Sequence, residues 1–368
     1  MKKKILLISK DWNEKYKSGL GTATILHKKI FEELGYQIVT ASSSCSKQNY
    51  NLNIKGLFNL LVNFRSLKQK IILILNNEKP DIIVVESLQT AISELFILVG
   101  KKKNYKLCLI SHGISIFPYS KKIKYFLRFL IWLPYLFSLK YILKKIDIFF
   151  TLDETSKSKR HLDTQVFKTT KNSSNLFEYN NICKFENEQI HDEKNFCNEK
   201  YVLNVGYVNH IKNQFDILKL AKFFKKKDIK FIIVYNHTNK KYFKSLINFK
   251  IKYNLDNIKI IKCCETKLKE LYKNCWIYLN TSITEVMPLS IIESCYFKKI
   301  YISYDKGSIK KIGSGIVVKN FEHLHHVFNF LFNNEKQKQK IEQNFSFEYQ
   351  KKFSYKKLVK KLEILNLY

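Results

Sequence analysis

Short apolar runs with strand character alternate with helical patterns along the whole chain. The predicted strands of the first half are residues 5–9, 37–42, 82–85, 105–110 and 148–152, and those of the second half are residues 201–205, 231–235, 258–262, 276–280 and 300–304. Strands that alternate with helices form parallel sheets with helices on both faces. Such sheets bind ligands at the carboxyl ends of their strands. The alternation therefore predicts an α/β fold with its site in the loops after the strands.

The alternation occurs in both halves, and this repetition predicts two domains. A length of 368 residues exceeds the usual size of a single core, and 45% hydrophobic residues suffice to build two. A polar, weakly periodic stretch at 153–200 separates the halves. We predict Rossmann-like domains at 1–190 and 191–345, and a C-terminal helix at 346–368 that packs back on the first domain.

A formal net charge of +34 raises the question of an anionic partner. Only three of the 65 basic residues are arginine, namely Arg65, Arg128 and Arg160. Proteins that read nucleic acids favour arginine for bidentate contacts. Abundant Lys, Ile, Asn, Phe and Tyr also match A/T-rich codons, so genome composition explains the charge as well as selection for binding does. We expect no nucleic-acid partner.

The eight cysteines are scattered and lack the paired spacing of a zinc site. A reducing compartment is the simplest interpretation. The apolar run at residues 5–8 is too short for a signal peptide and is predicted to be a first strand. We expect a cytoplasmic protein without a required metal.

Two glutamates, Glu285 and Glu293, lie eight positions apart where a loop runs into a predicted helix. Pro288 suits the first position of that helix. Five helical residues advance roughly 7.5 Å, so the two carboxylates could hold opposite ends of an elongated ligand. The helix N-terminus would present N–H groups to an anion between them. A nucleoside diphosphate sugar has this shape, although one such pair is expected by accident in a chain of this composition.

Glycines and two polar residues follow other predicted strands. Gly19 and Gly21 lie where the first strand turns into its helix, and Gly206 follows strand 201–205; such positions let the backbone approach a phosphate, or are ordinary turns. His112 lies two positions after strand 105–110, beside Gly113, and could contact sugar hydroxyls or phosphate, or be a structural histidine. Lys212 begins the next helix after Gly206 and could meet a diphosphate, although an idle lysine is the simpler alternative.

Taken together, these motifs resemble the glycosyltransferases of family 4, within the glycosyl transferases group 1. Both halves carry matching positions. In the first half they are Gly19-Leu20-Gly21, Gly35-Tyr36, Pro80-Asp81 and His112. In the second half they are Gly206-Tyr207, Lys212-Asn213, Ser282, Glu285 and Glu293, with Met287-Pro288-Leu289 between the glutamates.

This resemblance implies a GT-B fold, in which two Rossmann-like domains face each other across a cleft. The first domain would be the acceptor side and the second would bind a nucleotide sugar. Glu285 would bind the sugar hydroxyls, Glu293 the ribose and Lys212 the diphosphate, with Gly19, Gly21, Gly206, Ser282, Pro288 and Leu289 also in the donor site. His112, Glu285 and Lys212 would be the catalytic residues.

The resemblance also implies the reaction. The chain would be a retaining glycosyltransferase that needs no metal and no cofactor besides its nucleotide-sugar substrate. Its acceptor would be a saccharide or a lipid-linked saccharide of a bacterial surface glycan, such as capsule, lipopolysaccharide or exopolysaccharide.

Three positions depart from the family pattern. Tyr207 stands where the family has a phosphate-facing arginine, about Lys298 stands where a glycine follows the second glutamate's helix, and a glycine expected after 231–234 is absent. His210 or another lysine would have to replace the arginine. The alternative is a protein that binds a sugar nucleotide or an anionic surface without catalysing transfer.

Residues 121–145 are unusually aromatic and flanked by lysines. Arg128, Pro134 and Lys140 interrupt the run, which a membrane-spanning helix would tolerate poorly. An interfacial surface at the cytoplasmic face of the inner membrane accommodates them. A buried pair of helices in the first domain is the other interpretation.

Overall fold

The computed structural model describes residues 2–10, 12, 18–43, 47–54, 62–100, 105–118, 123–186, 200–313 and 315–368. The chain divides into two compact units. Unit 1 contains Met1–Asn180 and Lys356–Tyr368, and unit 2 contains Asn181–Tyr355. Residue 190, where we predicted the domain boundary, lies outside the described residues.

Unit 1 is built on a parallel sheet, which has seven strands in the described residues. Their order is β3-β2-β1-β4-β5-β6-β7. The sheet is buried on both faces, since Ile5, Leu6, Leu7 and Ile8 of β1 are all fully buried. The strands are β1 (Lys4–Ser9), β2 (Gln37–Ser42), β3 (Tyr50–Asn51), β4 (Ile82–Glu86), β5 (Lys106–Ile110), β6 (Ile148–Thr151) and β7 (Leu176–Glu178).

Helices connect these strands and cover the sheet. They are α1 (Gly19–Glu33), α2 (Phe64–Glu78), α3 (Ile92–Gly100), α4 (Ile123–Leu143) and α5 (Leu162–Phe167), with short 3-10 helices at Lys159–His161 and Ser173–Asn175. Phe167 of α5 stacks on Phe149 of β6 with 4.7 Å between the ring centroids. The apolar faces of α2, α3, α4 and α5 join one face of the sheet in a common core.

The helix α4 runs without a break through Pro134 for 21 residues. Leu139, Ile142 and Leu143 bury its C-terminal part against unit 1. The buried pair of helices that we considered for this segment is therefore wrong, because one helix occupies it and much of its surface is exposed. Residues 121 and 122 of the segment lie outside the described residues.

Unit 2 repeats the architecture with a second parallel sheet. Its described strands have the order β10-β9-β8-β11-β12-β13. Numbered within the unit, this is the order 3-2-1-4-5-6 of a Rossmann sheet. The strands are β8 (Tyr201–Val205), β9 (Lys230–Val234), β10 (Ile258–Ile261), β11 (Ile277–Asn280), β12 (Tyr301–Tyr304) and β13 (Ile316–Val318).

The helices of unit 2 follow in the same alternation. They are α6 (Phe215–Phe223), α7 (Lys240–Lys252), α8 (Glu265–Asn274), α9 (Leu289–Tyr296), α10 (Ile309–Ile312), α11 (Phe321–Asn333) and α12 (Glu335–Phe353). Asparagine side chains cap two of them, Asn239 at α7 and Asn320 at α11. Such caps satisfy N–H groups that have no partner within the helix.

The C-terminal residues return to unit 1. They form α13 (Tyr355–Leu362), of which residues from Lys356 onward belong to unit 1, and a 3-10 helix at Glu363–Leu367. The side chain of Asn366 accepts a hydrogen bond from the hydroxyl of Tyr36 at 2.5 Å. Tyr368 donates to Asn175 at 3.0 Å. The last residues of the chain are thus part of the first unit's structure.

The structure confirms the predicted α/β class with two parallel sheets. All ten predicted strands are present, with ends within one residue of the prediction. The three additional strands, β3, β7 and β13, lie at sheet edges and have two or three residues each. The helix α2 begins at Phe64, and residues 55–61 before it lie outside the described residues.

The position of Pro288 corrects one prediction. The helix α9 begins at Leu289, and Pro288 has an extended backbone with ψ 119°. Its carbonyl accepts hydrogen bonds from the backbone N–H groups of Ile291 and Ile292, as the residue just before a helix does. Pro288 is therefore the N-cap rather than the first helical residue, and Glu293 lies inside the helix as expected.

The backbone conformation of Lys298 is one that favours glycine, the residue that the resembled family has at about this position. Its φ is +56°, in the left-handed region that favours glycine. The N–H of Lys298 donates to the carbonyl of Cys295, and that of Lys299 donates to Ser294, both at 2.9 Å. These two bonds form a Schellman motif at the end of α9, whose left-handed residue is usually glycine.

We expect Lys298→Gly to raise the free energy of unfolding by about 1 kcal/mol, because glycine adopts the left-handed backbone without strain. Chemical denaturation of the full chain measures the change. Lys299→Gly is the matched control and should destabilise, since its φ is not among the positive values. A Lys298→Gly variant that is no more stable than the wild type would contradict this account of the helix end.

Candidate active site

Each sheet has one point where the chain reverses its direction of winding. In unit 2 this switch point lies between β8 and β11, and in unit 1 it lies between β1 and β4. Open α/β sheets bind ligands outside the carboxyl ends of the strands at such points. The loops after these four strands are therefore the places to examine for a site.

The two loops at the switch point of unit 2 bring together Lys212 and Glu285. Lys212 follows β8, Glu285 follows β11, and the ammonium lies 2.6 Å from Oε1 of the carboxylate. Both side chains are partly buried, with 27% and 10% of their surface exposed. Two charges at this distance and depth hold each other in position and stay within reach of a ligand. Two of the predicted catalytic residues are thus direct neighbours.

Backbone contacts hold these two loops in register. The hydroxyl of Thr281 donates to the carbonyl of Lys212 at 3.0 Å. The N–H of Ile283 donates to the carbonyl of Ile211 at 2.8 Å. Asn209 accepts from the backbone N–H of Lys212 at 2.9 Å, which ties the start of that loop to its end. Lys212 and Glu285 are therefore positioned by their own loops as well as by their charges.

The predicted donor-binding residue Ser282 supports the loop from inside. Its hydroxyl donates to Asn280 at 2.8 Å, and Asn280 donates to Ser303 of β12 at 3.0 Å. All three residues are buried. In the structure Ser282 therefore anchors the Glu285 loop to the ends of β11 and β12, and its contact with a donor stays a prediction.

The second glutamate, Glu293, lies deeper than the first. It is buried in α9, where its Oε2 accepts the hydroxyl hydrogen of Tyr272 at 2.7 Å. Burial raises the pKa of this carboxyl, and the positive charge of Lys184 and the Tyr272 hydroxyl partly offset that effect. Tyr272 also stacks on Phe297, with 5.8 Å between the rings. A ribose would have to reach Glu293 beside this aromatic cluster. Leu289, the first residue of the same helix, is half-buried.

The glycine Gly206 lies beside the side chain of Lys212, which would tolerate a methyl group at this position. A methyl group at Gly206 would lie 3.8 Å from Cδ and Cε of Lys212, in ordinary contact. Tyr207, which replaces the family's arginine, is exposed and meets the ring of His237 at 6.1 Å. His210 packs on the ring of Tyr242 at 4.6 Å. Neither Tyr207 nor His210 carries a guanidinium group. The cation that the structure places beside Glu285 is the ammonium of Lys212.

In unit 1, His112 belongs to a buried polar cluster. Its Nε2 lies 2.9 Å from Oε2 of Glu86, the last residue of β4. The other carboxylate oxygen lies 2.7 Å from Nδ1 of His27, on α1. Burial opposes ionisation of Glu86, but the charge and hydrogen bonds of His27 and His112 outweigh it and lower the pKa to about 2. Glu86 is thus an ionised carboxylate between two imidazoles.

A second buried carboxyl lies beside this cluster. Asp163 accepts a short hydrogen bond from the hydroxyl of Ser111, the neighbour of His112. Burial raises the pKa of Asp163 to about 6 against several hydrogen bonds that lower it. The ring of Tyr179 covers both histidines edge-on, at 5.7 Å from His27 and 6.3 Å from His112. The cluster is therefore shielded from water over most of its surface.

Within the described residues, His27, Glu86 and His112 are also the one group whose ligand atoms could hold a metal ion. These atoms all lie within 4.8 Å of one another. Two imidazoles and a carboxylate are a common donor set for a divalent cation. The observed distances equally fit hydrogen bonds from the imidazoles to the carboxylate.

The predicted glycines Gly19 and Gly21 lie in the first turn of α1 rather than in a loop. The side chain of Ser18 caps the helix by accepting from the N–H of Gly21 at 3.0 Å. Residues 13–17, which precede this cap, lie outside the described residues. A role of the two glycines in donor binding stays a prediction.

Residues 186–346 match the family described as Glycosyl transferases group 1. The match lies within unit 2 and confirms the resemblance at the level of group 1. Among curated proteins, none matches the chain in sequence.

Solved structures share the fold over the whole chain. A glycosyltransferase from Rickettsia africae is 18% identical, with a TM-score of 0.74 over 100% of this chain and 98% of that one. Sucrose-phosphate synthase from Thermosynechococcus elongatus is 12% identical, with a TM-score of 0.75 and the same coverage. HepE from Anabaena, in complex with UDP-glucose, is 12% identical, with a TM-score of 0.73 over 99% of this chain and 100% of that one. These similarities confirm the predicted GT-B class.

Sequence reasoning missed two residues of the cluster in unit 1, Glu86 and His27, and the close approach of Gly307 to the Glu285 loop. Glu86 lies one residue beyond the predicted strand 82–85, and His27 faces it from the middle of a helix, so neither stood in a recognisable motif. The signal for Gly307 was its placement after β12 in a chain with only ten glycines. Its φ is +58°, and a methyl group there would lie 2.6 Å from the carbonyl oxygen of Val286 and closer still to that of Glu285.

We expect Gly307→Ala to destabilise the chain by about 2–4 kcal/mol and to displace Glu285 from Lys212, because the clashing atoms are backbone atoms that cannot rotate away. Thermal unfolding measures the stability. Gly35→Ala is the matched control, since Gly35 also has a positive φ of +89° but nothing lies within 4 Å of the added methyl group. Equal losses in the two variants would show that backbone strain alone, and not the contact with the Glu285 loop, is at work.

Proposed function

We propose that the chain transfers a sugar from a nucleotide-sugar donor to a saccharide or lipid-linked acceptor. The match of residues 186–346 to the glycosyl transferases group 1 family supports this proposal. It acts in the cytoplasm, and its product belongs to a bacterial surface glycan such as capsule, lipopolysaccharide or exopolysaccharide. Transfer retains the anomeric configuration and needs neither a metal nor a further cofactor.

The contact between Lys212 and Glu285 at the switch point of unit 2 carries this proposal. Glu285 accepts hydrogen bonds from the hydroxyls of the donor sugar, and Lys212 faces the diphosphate. When the bond between the anomeric carbon and the phosphate oxygen breaks, its electron pair goes to the diphosphate. The Lys212 ammonium stabilises this growing charge more strongly than it does in the ground state, which accelerates the reaction.

Further groups complete the proposed donor site. The Oε1 of Glu293 is the oxygen that a ribose hydroxyl would use, because Oε2 accepts from Tyr272. Ser282, Pro288 and Leu289 shape the loop and the start of α9 around the donor. In unit 1, His112 is the further residue that we propose for catalysis. UDP-glucose is the first donor to test, since HepE is described in complex with it.

The alternative is a chain that binds a sugar nucleotide without transferring the sugar. The exposed Tyr207 in place of an arginine favours it, because the diphosphate then loses one cationic partner. Binding without transfer or hydrolysis would support this alternative, and measured transfer to any acceptor would exclude it.

We expect Lys212→Met to lower kcat by about 100- to 1,000-fold, because removal of one group that stabilises transition-state charge has effects of this size. Glu285→Gln should have a comparable effect. The assay follows nucleotide release with a panel of nucleotide sugars and saccharide acceptors. Lys219→Met removes another ion-paired lysine of unit 2 and should keep full activity. Undiminished turnover in the Lys212 and Glu285 variants would refute the assignment.

The helix α4 supports a membrane-bound acceptor. Large apolar side chains form a stripe on its exposed side, at the three- and four-residue spacing of one helical face. The exposed residues are Ile123, Phe126, Leu127, Leu130, Ile131, Phe137 and Tyr141. Among the described residues, Tyr125–Leu143 is also the one segment long and apolar enough to cross a membrane, a test that core helices of soluble proteins pass as well.

The opposite side of α4 packs on the core of unit 1 through Leu139, Ile142 and Leu143. A helix held in this way lies on a bilayer more readily than it crosses one. Exposed lysines at 140 and 144 follow the stripe, and the ammonium of Lys145 lies 4.6 Å from the ring of Tyr141. Aromatic groups at headgroup depth beside lysines suit an anionic membrane surface.

We expect the full chain to bind vesicles of anionic phospholipid, less tightly at high salt. The double variant Ile131→Asp and Phe137→Asp should bind at least roughly tenfold more weakly, because each such side chain contributes about 1.5–3 kcal/mol when buried. The control changes two exposed residues of unit 2, Phe223→Asp and Ile251→Asp. Unchanged vesicle binding, or a wild-type dimer that the variant dissociates, would contradict the membrane assignment.

A further inference from the structure

Arginine is rare in this chain, and two of its three arginines contact one loop of unit 1. The loop consists of residues 111–118, which follow β5. The guanidinium of Arg128, on α4, donates from Nη2 to the carbonyl of Ser115 at 2.7 Å and lies 3.2 Å from its hydroxyl oxygen. The carbonyl of Arg160 accepts from the backbone N–H of Ile114 at 2.9 Å. Because lysine is the usual basic residue of this chain, two arginines at one loop indicate that the guanidinium shape is used there.

A lysine adds a third positive charge beside the same loop. The ammonium of Lys159 lies 5.0 Å from the centroid of the Phe117 ring, at the distance of a cation–π contact. Phe117 in turn stacks on Phe129 of α4, with 5.7 Å between the centroids. Arg128 is half-buried and Lys159 is exposed. The two cations therefore contact loop residues that are only two positions apart.

Two acidic side chains bonded around this loop already accept hydrogen bonds from groups of unit 1. Asp163 accepts from the hydroxyl of Ser111. Burial raises the pKa of Asp163, and the charge of Arg160 is among the interactions that lower it. Glu94 accepts from the hydroxyl of Tyr135 at 2.7 Å. Since Arg160 acts on Asp163, we assign the binding of a ligand to Arg128 and Lys159.

The chemistry of these two cations suits a phosphate group. A guanidinium carries five N–H groups in a planar fork, so Arg128 can hold the loop and also donate to the oxygens of a phosphate. An ammonium meets a phosphate as a point charge, which suits the exposed Lys159. A neutral saccharide would gain little from two positive charges, because its hydroxyl groups carry no charge. The loop is therefore better suited to an anionic acceptor than to a neutral one.

The position of Arg128 on α4 indicates what the phosphate is attached to. Leu127 and Leu130 expose 53% and 45% of their surface, whereas Phe129 packs against the core of unit 1. Arg128, which contacts Ser115, thus lies at the border between the exposed apolar side of α4 and the body of unit 1. A lipid phosphate has its hydrocarbon chain in the bilayer and its phosphate at the surface. Both parts would meet matching groups at this border.

We propose that the phosphate group of a lipid-linked acceptor binds beside residues 111–118 of unit 1, with Arg128 and Lys159 as its cationic partners. This inference rests on the proposed function, in which the acceptor is a saccharide or a lipid-linked saccharide, and it selects the lipid-linked class. The same loop contains His112. The sugar attached to the phosphate would therefore lie close to a residue that we propose for catalysis.

Binding of farnesyl diphosphate to the full chain tests this site without sugar transfer, because the probe joins an apolar chain to a charged diphosphate. Calorimetric titration measures the affinity in a Lys212→Met background, in which the proposed donor site has lost its cation. We expect Arg128→Gln to weaken binding by about 10- to 100-fold and Lys159→Met by at least roughly threefold, because hydrogen bonds to charged groups contribute free energies of this size. Arg128→Lys keeps the charge without the planar fork and should have an intermediate affinity.

Arg65→Gln is the matched control, since Arg65 is the third arginine and lies exposed on α2 of the same unit. Its affinity for farnesyl diphosphate should equal that of the background chain. Farnesol lacks the diphosphate and should bind to the background chain at least roughly tenfold more weakly. Because Lys159 is exposed, Lys159→Met tests the site even if Arg128→Gln fails to fold.

Three results would overturn the proposal. One is an affinity for farnesyl diphosphate that neither Arg128→Gln nor Lys159→Met lowers. Another is equally tight binding of farnesol, because the apolar chain alone would then account for the affinity. The third is weaker binding of Arg128→Gln to vesicles of anionic phospholipid with unchanged binding of farnesyl diphosphate, since the loop would then bind the headgroups of the bilayer. Absence of sugar transfer by the wild type, with Arg128-dependent binding present, would instead contradict the proposed function and leave the lipid-phosphate site in place.

Discussion

Parallel strands that are buried on both faces leave their ends as the only places where polar groups can meet a ligand. In both sheets the central strands consist almost wholly of apolar residues without exposed surface. The two polar groups that could meet a ligand lie at these strand ends. The pair of Lys212 and Glu285, and the cluster of His27, Glu86 and His112, both occupy the point where the winding reverses. The order of the strands thus determines where a site can form, and the side chains on the loops determine which reaction it can support.

The two polar groups differ in the way they are held. Lys212 and Glu285 lie on loops joined by backbone hydrogen bonds, partly open to solvent, so a ligand can separate their charges. Glu86 has no exposed surface, and its partners come from a helix and a second strand end. The first arrangement suits groups that exchange partners during a reaction, and the second suits groups that hold another residue in place.

Much of this was predictable from sequence because local and global signals agreed. The central strands were recognisable from continuous Ile, Val and Leu runs, whereas the edge strands β3, β7 and β13 are too short to show a period. The spacing of Glu285 and Glu293 placed one in a loop and one in a helix. It gave no sign that Glu293 would be bonded to Tyr272, because that contact joins two successive helices, α8 and α9, through tertiary packing. Likewise, His27 and Glu86 are 59 residues apart and meet only in the folded sheet.

The path of the chain has a consequence for its synthesis. Unit 1 is built from the first 180 residues and the last 13, and Lys3 donates to the carbonyl of Asn366 across a separation of 363 positions. On a ribosome, the N-terminal half emerges long before the residues that complete it. Unit 1 therefore cannot be completed until residues 356–368 have been synthesised. A premature stop between residues 181 and 355 would thus remove a part of the unit that is made first.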